Sequence, residues 1–141
     1  MKEQALLAID YGEKKIGLAL KEKNSLQPLP LGNFKNKGDS AGKVIALAKE
    51  KKVSGIVLGH PLLLSGDKSA ITLKVEEFAR ILSACLPKKI TLYFFDERFS
   101  TQETLARLKL LNKSEAFIQK NKDTYSAVLI LERFLEKYER I

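Results

Sequence analysis

Only six residues, DYGEKK, separate two apolar runs at positions 6–9 and 16–20. A link that short, with Gly12 inside it, turns the chain straight back, so the two runs are read as strands of a tight hairpin. Residues 29–34 add a third strand after NSLQP, whose Asn and Pro are turn formers. From there the pattern changes. NKGDSAG opens a helix with Ala41, Val44, Ile45 and Ala48 at helical spacing. SGIVLG is a short apolar run bounded by glycines, as a buried central strand would be.

HPLLLSGD is bracketed by Pro61 and Gly66 and is read as a loop. Asp67 or Ser69 caps the next helix, whose apolar face is Ile71, Val75, Phe78, Ala79 and Leu82 and which Pro87 stops. KITLYFF is the last strand and ends abruptly at Asp96, Glu97 and Arg98. Ser100 to Glu103 forms a capping-box pattern opening a helix toward Leu111. NKSEAFIQKNK reads as a polar, basic loop, and Val128, Leu131, Leu135 and Tyr138 mark a long C-terminal helix starting at Asp123. Three meandering strands followed by alternating helices and strands predict an α/β fold: a mixed five-stranded sheet with helices on both faces. No repeat or linker interrupts it, so residues 1–141 are expected to form a single domain.

The chain carries 25 Lys+Arg against 17 Asp+Glu, a formal charge of +8 that favours polyanions, chiefly nucleic acid. Lysines concentrate at Lys35, Lys37, Lys43, Lys49, Lys51 and Lys52, and again at Lys109, Lys113, Lys120 and Lys122; a solvated surface explains such runs equally well. With one cysteine, Cys85, there is no internal disulfide and no cysteine-cluster metal site. No apolar run approaches a membrane span, and the segment after Lys2, Glu3 and Gln4 is too short for a signal peptide. A cytoplasmic protein is expected.

Functional residues in such sheets gather beyond the carboxyl ends of the strands. Asp10 ends the first strand, Asp96 and Glu97 end the last, and Asp123 begins the final helix in this reading. Strand alternation sends Asp96 and Glu97 to opposite faces. Clustered carboxylates repel unless a cation lies among them, and a hard oxygen set suits Mg²⁺ or Mn²⁺. Such ions activate water and stabilise a leaving oxygen in phosphodiester hydrolysis. Each acid also has a plainer role: Asp10 in the turn, Asp123 as a helix cap, Asp96 paired with Arg98.

Four segments, AIDYGEKKIGLAL, IVLGHPLLLSGD, FFDERFSTQE and KDTYSAVLILERFLE, resemble the signature segments of the YqgF/RuvX family, in order and over nearly the whole chain. DERFST is the most specific; an Asp-x-Gly hairpin also opens sugar kinases and actin-like ATPases, which need two such domains and more chain than this. The resemblance implies an RNase H-like fold, likeness to RuvC-type junction resolvases, and nuclease action on the 5′ end of precursor small-subunit (16S) ribosomal RNA. Position by position it implies Asp10, Glu97, Asp123 and Asp96 as catalytic acids. Asp10, Glu97 and Asp123 would be the metal ligands, Glu97 being favoured over Asp96 as the metal-facing member of the pair. Branched DNA is the alternative substrate, and a non-catalytic RNA-binding assembly factor the alternative role; monomer and homodimer stay open. His60, Phe99 and Ser126 depart from the family pattern, in which an apolar residue, Leu and a second Ala are usual.

His60, the single histidine, is read as a solvated loop residue rather than a phosphate contact. Arg98 either clamps phosphate or pairs with Asp96. Lys14 and Lys15 are backbone contacts to nucleic acid or ordinary turn lysines. Cys85 is expected to be a small buried hydrophobe. Tyr93, Phe94 and Phe95 are expected in the core of a covered strand.

Overall fold

The computed structural model describes residues 2–98 and 100–139. Strands β1 (Leu6–Tyr11), β2 (Lys15–Lys21) and β3 (Pro28–Lys35) are followed by helix α1 (Ser40–Glu50), strand β4 (Gly55–His60), helix α2 (Ala70–Cys85), strand β5 (Thr91–Asp96) and helices α3 (Ser100–Leu110) and α4 (Glu115–Glu139). The sheet order is β3-β2-β1-β4-β5. The β1–β2 hairpin is antiparallel, with Ala8 opposite Ala19 and Asp10 opposite Gly17. β3 continues it antiparallel, whereas β4 and β5 run parallel to β1, each entered through a crossover helix. This is the mixed sheet expected from the order of elements.

Period-two alternation divides the core. Leu7, Ile9, Ile16, Leu18, Leu20, Ile56 and Leu58 face α1 and α2, where Val44, Ile45, Val75, Phe78 and Leu82 close over them. Leu6, Ala8, Ala19 and Val57 face α4, which lays Ala127, Ile130, Leu131 and Phe134 on them. Small residues on that second face let the long helix lie close to the strands. Asp39 caps α1 by accepting from the Gly42 N–H at 2.9 Å. Ser69 caps α2 in a reciprocal box with Thr72, whose hydroxyl donates onward to the Pro61 carbonyl. Ser69→Ala is expected to cost about 1 kcal/mol, read as a lower urea midpoint with unchanged slope.

Four expectations change. α4 begins at Glu115, so NKSEAFIQKNK is not a loop. Asn112 ends the preceding turn with φ of 55°, and Ser114 restarts the helix by accepting from the Phe117 N–H at 3.1 Å. The stretch looked loop-like because its first turns face solvent. β4 runs through His60, one residue into the segment read as loop. Cys85 is exposed rather than buried, on the last turn of α2. β5 is a sheet edge, so Phe94 is 48% exposed while Tyr93 and Phe95 pack on the Phe134 ring at 5.2 and 6.2 Å between centroids. Phe99, and the Ser100 side chain of the expected capping box, lie outside the described residues. Among those described, no helix is long and apolar enough to cross a membrane.

Candidate active site

On the face that meets α4, one row crosses the sheet beyond its core. Asn33 of β3 stands beside Gly17 of β2, and Gly17 stands opposite Asp10 of β1. On β4, Gly59 follows Leu58, the partner of Ile9. Asp10 is therefore flanked by a glycine on either side, and each gap is filled by another element. A Cβ on Gly17 would lie 1.9 Å from the Asp123 carbonyl oxygen, so the backbone of α4 rests directly on the strand there. A Cβ on Gly59 would lie 2.7 Å from Glu97 Cδ and 2.7 Å from Ile130 Cδ1. The missing side chains admit the other two carboxylate-bearing residues.

Glu97 follows β5 in the same alternation as Tyr93 and Phe95 and so turns to the α4 face; its N–H donates to the His60 carbonyl at 3.3 Å. Asp123 lies in the interior of α4, not at its start, so it caps nothing. Asn33 sews this part of the helix to β3, its amide donating to the Lys120 carbonyl and the Thr124 hydroxyl, both at 2.9 Å. Asp10 pairs within the strand ladder rather than serving the turn.

Asp10, Glu97 and Asp123 line one cleft of about 470 Å³, with Lys122, Ser126 and Arg98 among its other walls. Pro61, Leu62, Leu64 and Ile71 supply an apolar side. Burial is the main cause that holds the Asp10 carboxyl well above its ordinary range, and the charges of Glu97 and then Asp123 add to it. A hydrogen bond from Ser126 and the charge of Lys122 act in the opposite direction. Asp123 is also raised by burial, against Lys122 and Lys15. Ser126 is 4% exposed and its Oγ lies 3.3 Å from Thr104 Oγ1, so α3 supports the hydroxyl that holds Asp10. Ser126 entered as a mere departure from a motif.

Asp96 is not brought to this cleft. It lines a neighbouring one of about 400 Å³ and engages Arg98: the Arg98 N–H donates to Oδ1 at 3.1 Å, and Nε lies 2.9 Å from Oδ2 without hydrogen-bond alignment. Arg98 Nη1 also donates to the Leu64 carbonyl at 3.3 Å, tying the 61–68 loop to the end of β5. His60 points away from the acids. Its Nε2 meets Glu76 Oε2 at 2.9 Å and its ring stacks on Phe94 at 4.9 Å, so it is partnered rather than solvated. Alternation would have revealed the two glycines: each interrupts an apolar strand at a position facing α4, where a missing side chain signals close approach.

The anionic groups of the cleft are three carboxylates, a hard oxygen set. Among the described residues no three His, Cys, Asp or Glu side chains converge into a metal cage. Mg²⁺ does not require one, since it is held by one or two carboxylates with waters and substrate phosphates completing its shell. Burial first, and then the repulsion of Glu97 and Asp123, disfavour the charge on Asp10, and a hard cation offsets both, so the residues present fit such an ion.

The model of the RuvX family, described as Holliday junction resolvase, matches residues 4–137. A protein of Ehrlichia chaffeensis named "Putative pre-16S rRNA nuclease" is 35% identical over 138 residues, covering 96% of this chain and 86% of its own length. One of the same name from Mycoplasmopsis pulmonis is 36% identical over 138 residues, with 94% and 92% covered. Among solved structures, T. thermophilus RuvC in complex with Holliday junction substrate superposes with a TM-score of 0.53 at 13% identity, covering 96% of both chains. Fowlpox virus resolvase with substrate Holliday junction DNA gives 0.63 at 10% identity, covering 95% of this chain and 98% of that one. At such identities the superpositions establish the fold, which is RNase H-like as the signature segments implied. With the family model matched almost end to end, the chain belongs to the RuvX family.

Proposed function

We propose that this chain is a single-domain cytoplasmic nuclease that hydrolyses phosphodiester bonds at the 5′ end of precursor 16S ribosomal RNA. The observation that carries the reading is the meeting of Asp10, Glu97 and Asp123, from three separate elements, in one cleft where burial and mutual charge keep Asp10 from ionising normally. The names borne by the relatives favour RNA as the substrate.

Asp10, Glu97 and Asp123 would hold Mg²⁺ or Mn²⁺, which when bound supplies an activated water and neutralises charge on the phosphodiester. The chain's own groups prepare the rest. Ser126 fixes the Asp10 carboxylate from one side, backed by Thr104. Lys122 lowers the cost of gathering three acids. The apolar wall of Pro61, Leu62 and Leu64 limits water on the side where the 61–68 loop is tied down by Arg98. Asp96 acts as a positioning residue for Arg98 rather than through the cleft.

Junction resolution is the second reading, favoured by the family description. A resolvase cuts two strands symmetrically and so acts as a dimer, whereas RNA trimming works as monomer or homodimer. The test is cleavage, in Mn²⁺ or Mg²⁺, of an RNA spanning the 5′ boundary of 16S rRNA beside a synthetic four-way DNA junction. A single defined cut in the RNA and an intact junction are expected. Paired nicks in the junction with uncut RNA would replace the first reading by the second. Salt-sensitive RNA binding without turnover in either ion would replace both by an assembly factor.

A further inference from the structure

Beyond the three acids, the two flanks of the cleft differ in how their cations are used. On the β5–α3 flank the arginines are spent on neighbours, Arg98 on Asp96, Arg107 on Glu132 and Arg133 on Glu103, while Lys109 and Lys137 form no ion pair among the described residues but do not meet across strands. Lys68 on the adjoining loop is paired with Glu76. On the β2–β3–α4 flank the lysines stand open. Lys15 and Lys35 are direct cross-strand partners, and alternation turns both to the α4 face. Two like charges at such a pair disfavour the sheet, a cost that a bound anion would offset. The Asn33 amide, bonded to the Lys120 carbonyl, brings the turn of α4 carrying Lys120 and Lys122 against the same two strands. Lys15 and Lys122 are near enough to act on Asp123, and Lys122 on Asp10. Among the described residues none of Lys15, Lys35, Lys120 and Lys122 has an ion-pair partner.

From this cluster we infer that the backbone of the RNA strand to be cut runs over the β2–β3 hairpin along Lys35, Lys120, Lys15 and Lys122 and reaches the acids from that side. The inference rests on the nuclease reading for what happens at the end of the track, but not for the track itself. Phosphates there exchange condensed counterions for lysines, a contribution independent of sequence and steeply dependent on salt. Lys15 and Lys122 border the acids, while Lys35 and Lys120 are exposed and lie farther out, so the outer pair reads the path without touching the cleft.

The experiment compares two neutralised pairs of equal net charge. Lys35→Gln with Lys120→Gln removes the outer track. Lys51→Gln with Lys89→Gln removes two exposed lysines at the opposite pole, near where β4 and β5 begin. Binding of a fluorescent single-stranded RNA is measured in chelator, without divalent ions, from 50 to 200 mM salt. The track variant should lose on the order of tenfold in affinity near 0.1 M salt and about 1.4 in the slope of log K against log salt, roughly 0.7 for each lost contact to a single strand. The polar control should keep the wild-type slope. Equal losses in both pairs would show a diffuse effect of the net charge of +8 and overturn the track. So would an unchanged slope for Lys35→Gln with Lys120→Gln, or dependence on that pair of a four-way DNA junction but not of RNA. Because no cleavage is read, a protein that binds along the track but never cuts would overturn the nuclease reading and leave this one standing.

Discussion

Asp10→Asn is expected to lower metal-dependent cleavage by on the order of 10³-fold or more while making the folded chain more stable. The two effects have one cause. Asp10 is part-buried beside Glu97 and Asp123, so its negative charge is unfavourable in the folded protein, a cost that the proposed cation would relieve. Removing a carboxylate that would hold the charge-neutralising cation costs several kcal/mol of barrier, at about tenfold in rate per 1.4 kcal/mol. The amide keeps the shape of the side chain and loses the repulsion, the trade between stability and activity usual at such sites.

The pH dependence of stability separates this from a packing effect. Folding raises the Asp10 pKa above its ordinary 3.8, so the folded state holds the proton more tightly than the unfolded chain. The associated stability is fully present below the unfolded value and is lost as pH rises through the higher folded one. Asp123 is shifted in the same direction. Wild type should thus gain on Asp10→Asn as pH falls from neutrality toward 4, and the difference in Tm between them should shrink. Each kcal/mol corresponds to about 4 °C for a chain of this size. A Tm for Asp10→Asn below that of wild type at neutral pH, or retained cleavage, would contradict the account.

Gly17→Ala should be the most damaging single methyl in the molecule. Its Cβ would overlap the Asp123 carbonyl oxygen at 1.9 Å and lie 2.7 Å from the Thr124 nitrogen, both backbone atoms that no side-chain rotation relieves. The helix must lift, at about 1–3 kcal/mol for overpacking. It carries Asp123 away from Asp10 and strains the Asn33 bonds to Lys120 and Thr124. A displacement near 1 Å costs about 10²-fold in rate. Urea unfolding and cleavage measured together check this: a stable, fully active Gly17→Ala protein would mean that the helix does not rest on β2. Gly59→Ala meets mainly side-chain atoms of Glu97 and Ile130 and should cost less stability for a comparable loss of activity.

What could be read from residues alone was whatever is local or periodic. The hairpin follows from six intervening residues, and α1 and α2 follow from apolar spacing with a cap before each. Alternation separates Asp96 from Glu97 but does not say which face is which; that depends on β5 lying beside β4 with α4 below. The start of α4 is hidden because its first turns carry Glu115, Gln119 and Lys120 outward, and solvent-facing helix and polar loop have similar composition. The exposure of Cys85 and Phe94 is not encoded locally, because the covering of a helix end or a sheet edge is a property of the assembled layers. Alternation marks Gly17 and Gly59 as gaps in apolar strands, but which residues fill them, and what Ser126 holds, lies in contacts far along the chain.

The long helix has a consequence for when the protein becomes competent. It supplies Asp123 and Ser126 and also the cover for Leu6, Ala8 and Val57, so one element completes both the core and the acidic cleft. The first acid enters at residue 10 and the last at residue 123, and no partial assembly of the preceding elements holds all three. A chain still emerging during synthesis, or one with α4 removed, therefore lacks Asp123 and Ser126 beside Asp10 and has no complete acidic cleft.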